Sequence, residues 1–154
     1  MDRFNNFWCN LTAFADNTAL IDTSKNESVS YRNIESESDI IKEKISSGRK
    51  GLAFLFTTNN SESVITYIAL LKSGNAVLLL DEKLNEEIRN GLIKNYRPDY
   101  IISSNESIPE HYSFSFKYES LNFIKTTESN SISIFPELSV LLSTSGTTGS
   151  PKLV

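Results

Sequence analysis

Apolar and polar positions alternate in two rhythms along this chain, and the switches between them mark out its elements. Leu52-Ala-Phe-Leu-Phe-Thr57 is an almost unbroken apolar run, and so is Ala76-Val-Leu-Leu-Leu80. Runs of this kind belong to strands buried on both faces of a sheet. Between them Val64, Ile65, Ile68 and Leu71 recur at helical spacing, and Gly74 ends the stretch as a natural helix terminator. Asn59, with Glu62 three positions on, forms a candidate capping box at the helix start. The pattern predicts a strand–helix–strand unit with a right-handed crossover. A second unit follows. Leu84, Ile88 and Leu92 place a helix over 85–95, Pro98 breaks it, and Asp99-Tyr-Ile-Ile102 predicts another strand. Two such units in succession predict an α/β fold, with βαβ units building a mainly parallel sheet flanked by helices.

The flanking segments read less uniformly. Phe4, Phe7, Trp8, Leu11 and Phe14 fall on one helical face, which predicts an N-terminal helix packed on its own domain, with Asp2 as its N-cap. Thr18–Thr23 and Ser28–Tyr31 flank a polar turn and predict a hairpin. Ile34, Ile41 and Ile45 then share one helical face, and Gly48 closes that helix. Tyr112, Phe114, Phe116 and Tyr118 alternate with small or charged residues, as in a half-buried strand, and 126–131 reads as an exposed loop. A last apolar run, Leu138 to Leu142, predicts a final buried strand. That strand is expected to leave an open edge and exposed apolar surface, which favours association.

Composition narrows the function classes. The 154 residues are 39% hydrophobic and 22% charged, with a formal net charge of −4. That profile suits one globular unit, and the absence of a basic block argues against nucleic acid or an anionic membrane as the main partner. The longest apolar runs are far too short to span a bilayer. The sole cysteine, Cys9, excludes an internal disulfide and reads as a small core hydrophobe beside Trp8. These features, with no leader-like N-terminus, predict a cytoplasmic protein. The sole histidine, His111, follows Pro109-Glu110 and reads as an exposed loop residue. One histidine and one cysteine cannot build a His/Cys metal cluster, and no nucleophile elbow or Gly-x-Gly-x-x-Gly fingerprint is present. Glu86 and Glu87 read as solvated helix-surface acids.

The chemistry concentrates where the last apolar run ends, in Ser143-Thr144-Ser145-Gly146-Thr147-Thr148-Gly149-Ser150-Pro151-Lys152. Gly146 and Gly149 allow close backbone approach to a ligand, and consecutive N–H groups in such a loop can form an anion-binding nest. Ser145, Thr147 and Thr148 add hydroxyl donors, and Lys152 adds a mobile positive charge. The spacing is not that of the common NTPase P-loop, which needs Gly, four residues, then Gly-Lys-Ser/Thr.

Ser145-Gly-Thr-Thr-Gly-Ser-Pro-Lys152 resembles the phosphate-binding signature of the adenylate-forming superfamily, which includes acyl-CoA synthetases, aryl acid ligases, peptide-synthetase adenylation domains and firefly luciferase. Thr18–Asp22, Val29–Arg32 and Gly51–Leu80, with Asn59 and Leu70-Leu-Lys-Ser-Gly74, are similar to earlier segments of those enzymes. Two positions depart from the usual pattern: Ser143 stands where many members have Tyr or Phe, and Leu153 where many have Gly.

The resemblance implies that residues 1–154 are the N-terminal portion of an AMP-dependent synthetase/ligase domain. It implies a ligase that activates a carboxylic acid with ATP and Mg²⁺ as an acyl-adenylate, with CoA or a carrier protein as acceptor. Thr144, Ser145, Gly146, Thr147, Thr148, Gly149 and Lys152 would bind the nucleotide phosphates. The later motifs of the superfamily find no match here, so the resemblance assigns no catalytic or metal-binding residue and implies a chain incomplete for catalysis alone. The alternative reading is a non-catalytic nucleotide-binding or interaction remnant.

Overall fold

The sheet is assembled around β3 (Leu52–Thr57), whose residues 52–56 are buried whichever way they point. This computed structural model describes residues 6–128, 133–144 and 152–153. β3 pairs in parallel with β4 (Ala76–Asp81) on one side and with β5 (Tyr100–Ser103) on the other. β8 (Val140–Thr144) extends the parallel block beyond β4. At the opposite edge β7 (Leu121–Thr126) runs antiparallel to β5, and β6 (Tyr112–Tyr118) antiparallel to β7. β9 (Lys152–Leu153) pairs antiparallel with the end of β8, giving the order β6-β7-β5-β3-β4-β8-β9. The two expected βαβ units are both present. The edge expected to lie bare on the last strand is covered by β9 over Ser143 and Thr144, although Leu142 remains 52% exposed.

Alternation along the strands divides the core into two layers. Ala53, Leu55, Val77 and Ile102 face α1 (Tyr31–Ile45) and α2 (Ser61–Lys72), packing with Ile34, Ile41, Ile45, Ile65 and Ile68. Phe54, Phe56, Leu78 and Ile101 face the other way, against Leu92 and Ile93 of α3 (Glu86–Tyr96). The separate hairpin of β1 (Thr18–Asp22) and β2 (Glu27–Ser30) pairs as the sequence predicts. Ser30 caps α1, its hydroxyl accepting from the Asn33 N–H. That helix ends at Ile45, before Gly48, which instead takes a φ of +71° in the turn beyond it.

α2 ends in a Schellman turn. Gly74, at φ +78°, donates to the Leu71 carbonyl, and Asn75 donates to Leu70. Asn75 then accepts from the Gly51 N–H, while Asp99 accepts from the Leu52 N–H at 2.9 Å. A side chain at Gly51 would put its Cβ 2.8 Å from the Asn75 carboxamide oxygen. The start of β3 therefore needs glycine for close approach, not for turn geometry.

Four expectations are corrected. Residues 7–14 form two short 3-10 turns, Phe7–Cys9 and Leu11–Phe14, in place of one helix. Leu11 is buried, but Phe7 and Phe14 are 64% and 54% exposed, and Cys9 is exposed rather than in the core. Asp2 and Phe4 lie outside the described residues. The α2 cap is Asn60, whose carboxamide accepts from the Ser63 N–H, so the start is one residue later than Asn59 predicts. The strand expected over 138–142 begins at Val140 rather than Leu138, and β9 follows it. β7 was not anticipated at all, although Leu121, Phe123 and Ile124 are among its buried residues. Among the described residues, no helix is long and apolar enough to cross a membrane.

Replacing Asn60 with Ala is expected to lower stability by about 1 kcal/mol through loss of the cap, whereas Asn59→Ala leaves it nearly unchanged. Urea unfolding of the two variants distinguishes the caps. Phe123→Ala, which removes the fully buried ring stacked on Phe116 at 4.2 Å, is expected to cost about 3–5 kcal/mol in the same assay.

Candidate functional site

The carboxyl ends of the parallel strands form one rim, and the chain leaves that rim in two directions. From β3 it passes through Thr58–Asn60 into α2 on one face; from β4 it passes through Glu82–Asn85 into α3 on the other. Connections that diverge in this way open a crevice beyond the strand ends, the usual ligand position in open α/β sheets. β8 ends at the same rim, since Leu142 pairs with Leu79 and Thr144 follows two residues later. Thr144 then pairs with Lys152 across the β8–β9 ladder. The two ends of the glycine- and threonine-rich segment are therefore held side by side at the strand ends. Ser145, Gly146, Thr147, Thr148 and Gly149 lie outside the described residues.

Fixed charges around this rim are internally paired. Asp22, at the end of β1, is buried, and its carboxylate accepts from the Ser61 N–H at 2.8 Å, the first residue of α2. The same carboxylate accepts from the Ser24 hydroxyl and from the Ser24 and Lys25 N–H groups. The Ser24 hydroxyl first, then the Ser61 amide, hold the Asp22 carboxyl far below its ordinary range. An anion at a helix N-terminus is favourable, and here the protein supplies its own. The adjacent Glu62 is also buried. Burial opposes its ionisation, but the Lys25 ammonium 2.7 Å away and the Ser120 hydroxyl outweigh it and draw its pKa down. The side chain expected to complete a capping box instead ties α2 to the β1–β2 and β6–β7 turns.

On the α3 side, Arg89 is only 9% exposed. Its guanidinium stacks 3.8 Å from the Phe56 ring centroid and donates to the Ser103 hydroxyl at 2.7 Å. Glu82 lies 3.9 Å from it and accepts from the Ser104 hydroxyl at 3.0 Å. Burial lowers the Arg89 pKa, while the Glu82 and Glu86 carboxylates oppose the shift; guanidinium remains charged in proteins. This cluster joins the β4–α3 connection to the end of β5. Sequence reasoning overlooked Arg89, yet a signal was present: with Leu92 and Ile93 it completes an i, i+3, i+4 set on the buried face. Ile88, expected on that face, is 37% exposed.

The remaining candidates are dispersed. His111 lies on the distant β6 side with φ +67° and is well exposed, its Nδ1 3.1 Å from the Glu128 carboxylate. Glu86 and Glu87 are exposed in the first turn of α3. Among the described residues, no three His, Cys, Asp or Glu side chains converge as a metal site would require.

No protein-family model matches the sequence, and no curated protein does. Solved structures do match. The Klebsiella oxytoca NpsA N-terminal subdomain superposes with a TM-score of 0.68 at 18% identity, over 96% of this chain and 40% of that one. Bacillus subtilis O-succinylbenzoate coenzyme A synthetase (MenE), in complex with AMP, gives 0.66 at 19% identity, over 97% of this chain and 41% of that one. An E. coli MenE variant with bound OSB-AMS gives 0.68 at 18%, over 99% and 34% respectively. The chain shares the fold of part of an adenylate-forming enzyme's N-terminal subdomain. The chain spans about 34–41% of the length of those proteins.

The Asp22 carboxyl gives the subdomain an acid-sensitive joint. Its folded pKa lies below the ordinary 3.8, so its contribution to stability is fully present above that value and is lost as pH falls toward the folded pKa. Urea midpoints measured from neutral pH into acid are expected to fall for the parent chain below about pH 4. In Asp22→Asn that acid-dependent fall is expected to be shallower, from a lower starting stability.

Proposed function

We propose that this chain is the phosphate-gripping N-terminal part of an ATP-dependent ligase that activates a carboxylic acid as its acyl-adenylate. The observation that carries the reading is the position of the Ser145–Lys152 sequence. It connects strands that meet at Thr144 and Lys152, at the carboxyl end of the parallel sheet, in a chain with the fold of adenylate-forming subdomains. AMP in one structural neighbour and adenylate analogues in others support a nucleotide ligand.

In this reading a carboxylate oxygen of the acid attacks the α-phosphorus of ATP. The bond from that phosphorus to the bridging oxygen breaks, and pyrophosphate leaves. Ser145, Thr147 and Thr148 donate hydroxyls to the β- and γ-phosphates, Gly146 and Gly149 donate backbone N–H groups, and Lys152 offsets charge growing on the leaving group. Thr144, last in β8, anchors the start of the loop. Donors already in place stabilise developing charge without reorganisation. The hydroxyl, glycine and lysine set fits an anionic phosphate. No acidic cluster for Mg²⁺ is present among the described residues; Mg²⁺ in such sites is held by the substrate phosphates and water with one or two carboxylates. The acyl acceptor, CoA or a carrier protein, would act on the adenylate afterwards. The chain alone is expected to bind nucleotide without completing adenylation, since it spans about two-fifths of the length of its structural neighbours.

Titration calorimetry with ATP·Mg²⁺ tests the grip. Saturable binding by the 154-residue chain, weakened about tenfold in Lys152→Ala and several-fold in Thr147→Ala, is the expected result. Equal binding by both variants and the parent would remove the loop from the site. Acid-dependent ATP–pyrophosphate exchange by the purified chain would show that it is sufficient for adenylation, contrary to this reading.

A further inference from the structure

We propose that the cleft between the β1–β2 hairpin and the start of α2 is a separate binding site for a small, uncharged, largely apolar molecule carrying one hydrogen-bonding group, an aromatic heterocycle being the simplest case. The cleft has a volume of about 350 Å³, within the size range of small-molecule sites. It opens at the carboxyl ends of β3 and β4, where the chain diverges to the two faces of the sheet. Topology and cavity shape therefore point independently to one place.

The walls select the ligand. Leu20 and Ile21 of β1, Val64 and Tyr67 of α2, and Leu79 of β4 supply the apolar surface. Ile21 is 73% exposed, so an occupant would remove apolar surface that now meets water. The polar lining includes Thr58 and Asn59, neutral groups at the rim that can donate and accept. Ser63 also lines the cleft, and its buried hydroxyl has no hydrogen-bond partner among the described residues.

Charge selection follows from Asp22. Among the described residues it is the sole charged one lining the cleft, and its carboxylate already occupies the N-terminus of α2. The dipole that would otherwise attract an anion is satisfied from within, and a second carboxylate or phosphate would meet like charge. The site is thereby distinguished from the loop between Thr144 and Lys152, whose donors suit phosphate. It contains none of the residues assigned to ATP, so either assignment can fail without the other.

Indole is the test probe. In amide-resolved NMR titrations of the 154-residue chain, indole is expected to shift Leu20–Asp22 and Asn59–Val64 saturably, with millimolar affinity. 1-Methylindole, which lacks the N–H donor, is expected to bind several-fold more weakly, and benzoate weaker still. Val64→Trp, which fills the cleft, should weaken indole at least about tenfold. Ile21→Asp, at an exposed position and therefore tolerated by the fold, should weaken it as well. An absence of saturable shifts overturns the proposal. So does an unchanged midpoint in Ile21→Asp, or benzoate binding as tightly as indole.

Discussion

Double-sided burial of β3 is the constraint on which the rest of the molecule depends. A strand with Phe54, Leu55 and Phe56 all removed from water cannot tolerate an open face. Its even positions need α3, and its odd positions need α1 and α2. The antiparallel pair β6–β7 continues the sheet beyond β5, and Phe116 and Phe123 stack there at 4.2 Å. Helices on both faces also require connections that leave the sheet in opposite directions. The crevice at the strand ends is thus a geometric consequence of burying β3, before any ligand is considered.

Burial of this kind drives polar groups to the strand ends, and each end handles them differently. At the amino end the polar groups serve the sheet. Asn75 and Asp99 accept from the N–H groups of Gly51 and Leu52 where β3 begins, and Arg49 pairs with Asp99. Backbone donors there would otherwise be buried without partners. At the carboxyl end, Asp22 occupies the α2 terminus, Lys25 pairs with Glu62, and Arg89 lies near Glu82 and against Phe56. These contacts fix the connecting loops while keeping their charges compensated.

Legibility in the sequence followed burial. β3, β4 and α2 were readable because continuous apolar runs and helical spacing each admit one interpretation. β7 was not, because Leu-Asn-Phe-Ile-Lys-Thr breaks its apolar run with Asn122, whose carboxamide reaches the Ser104 and Asn105 carbonyls across the sheet end. That partner is remote in sequence, so no local pattern announces it. The N-terminal aromatics misled for the converse reason. Phe7, Trp8, Leu11 and Phe14 have helical spacing, but only Leu11 is buried, and an unburied apolar face gives a short helix little to hold it together. The Asn59–Asn60 ambiguity is a one-residue question of cap geometry, decided by which carboxamide reaches the Ser63 N–H. At the phosphate-binding candidate, residue types and spacing were legible while position was not. That Thr144 and Lys152 face one another became visible only in the β8–β9 pairing.

Compensated charge at the carboxyl rim bears directly on how this end of the sheet could receive a polyanion. The chain is net negative, at −4, and Asp22, Glu62, Asp81 and Glu82 all lie near the strand ends. Left bare, carboxylates at that range would repel a triphosphate. Three of them have neighbours that offset their charge, and Asp81 accepts from the Lys83 N–H at 2.8 Å. Compensation lowers the repulsion without creating an attraction. Attraction must come from groups not already committed to the fold, and the hydroxyl- and glycine-rich segment ending in Lys152 is where the sequence places them. The same compensation leaves the α2 cleft with its helix terminus already satisfied, suited to a neutral ligand. One rim can therefore present two chemically different surfaces because its carboxylates are hydrogen-bonded or ion-paired within the fold.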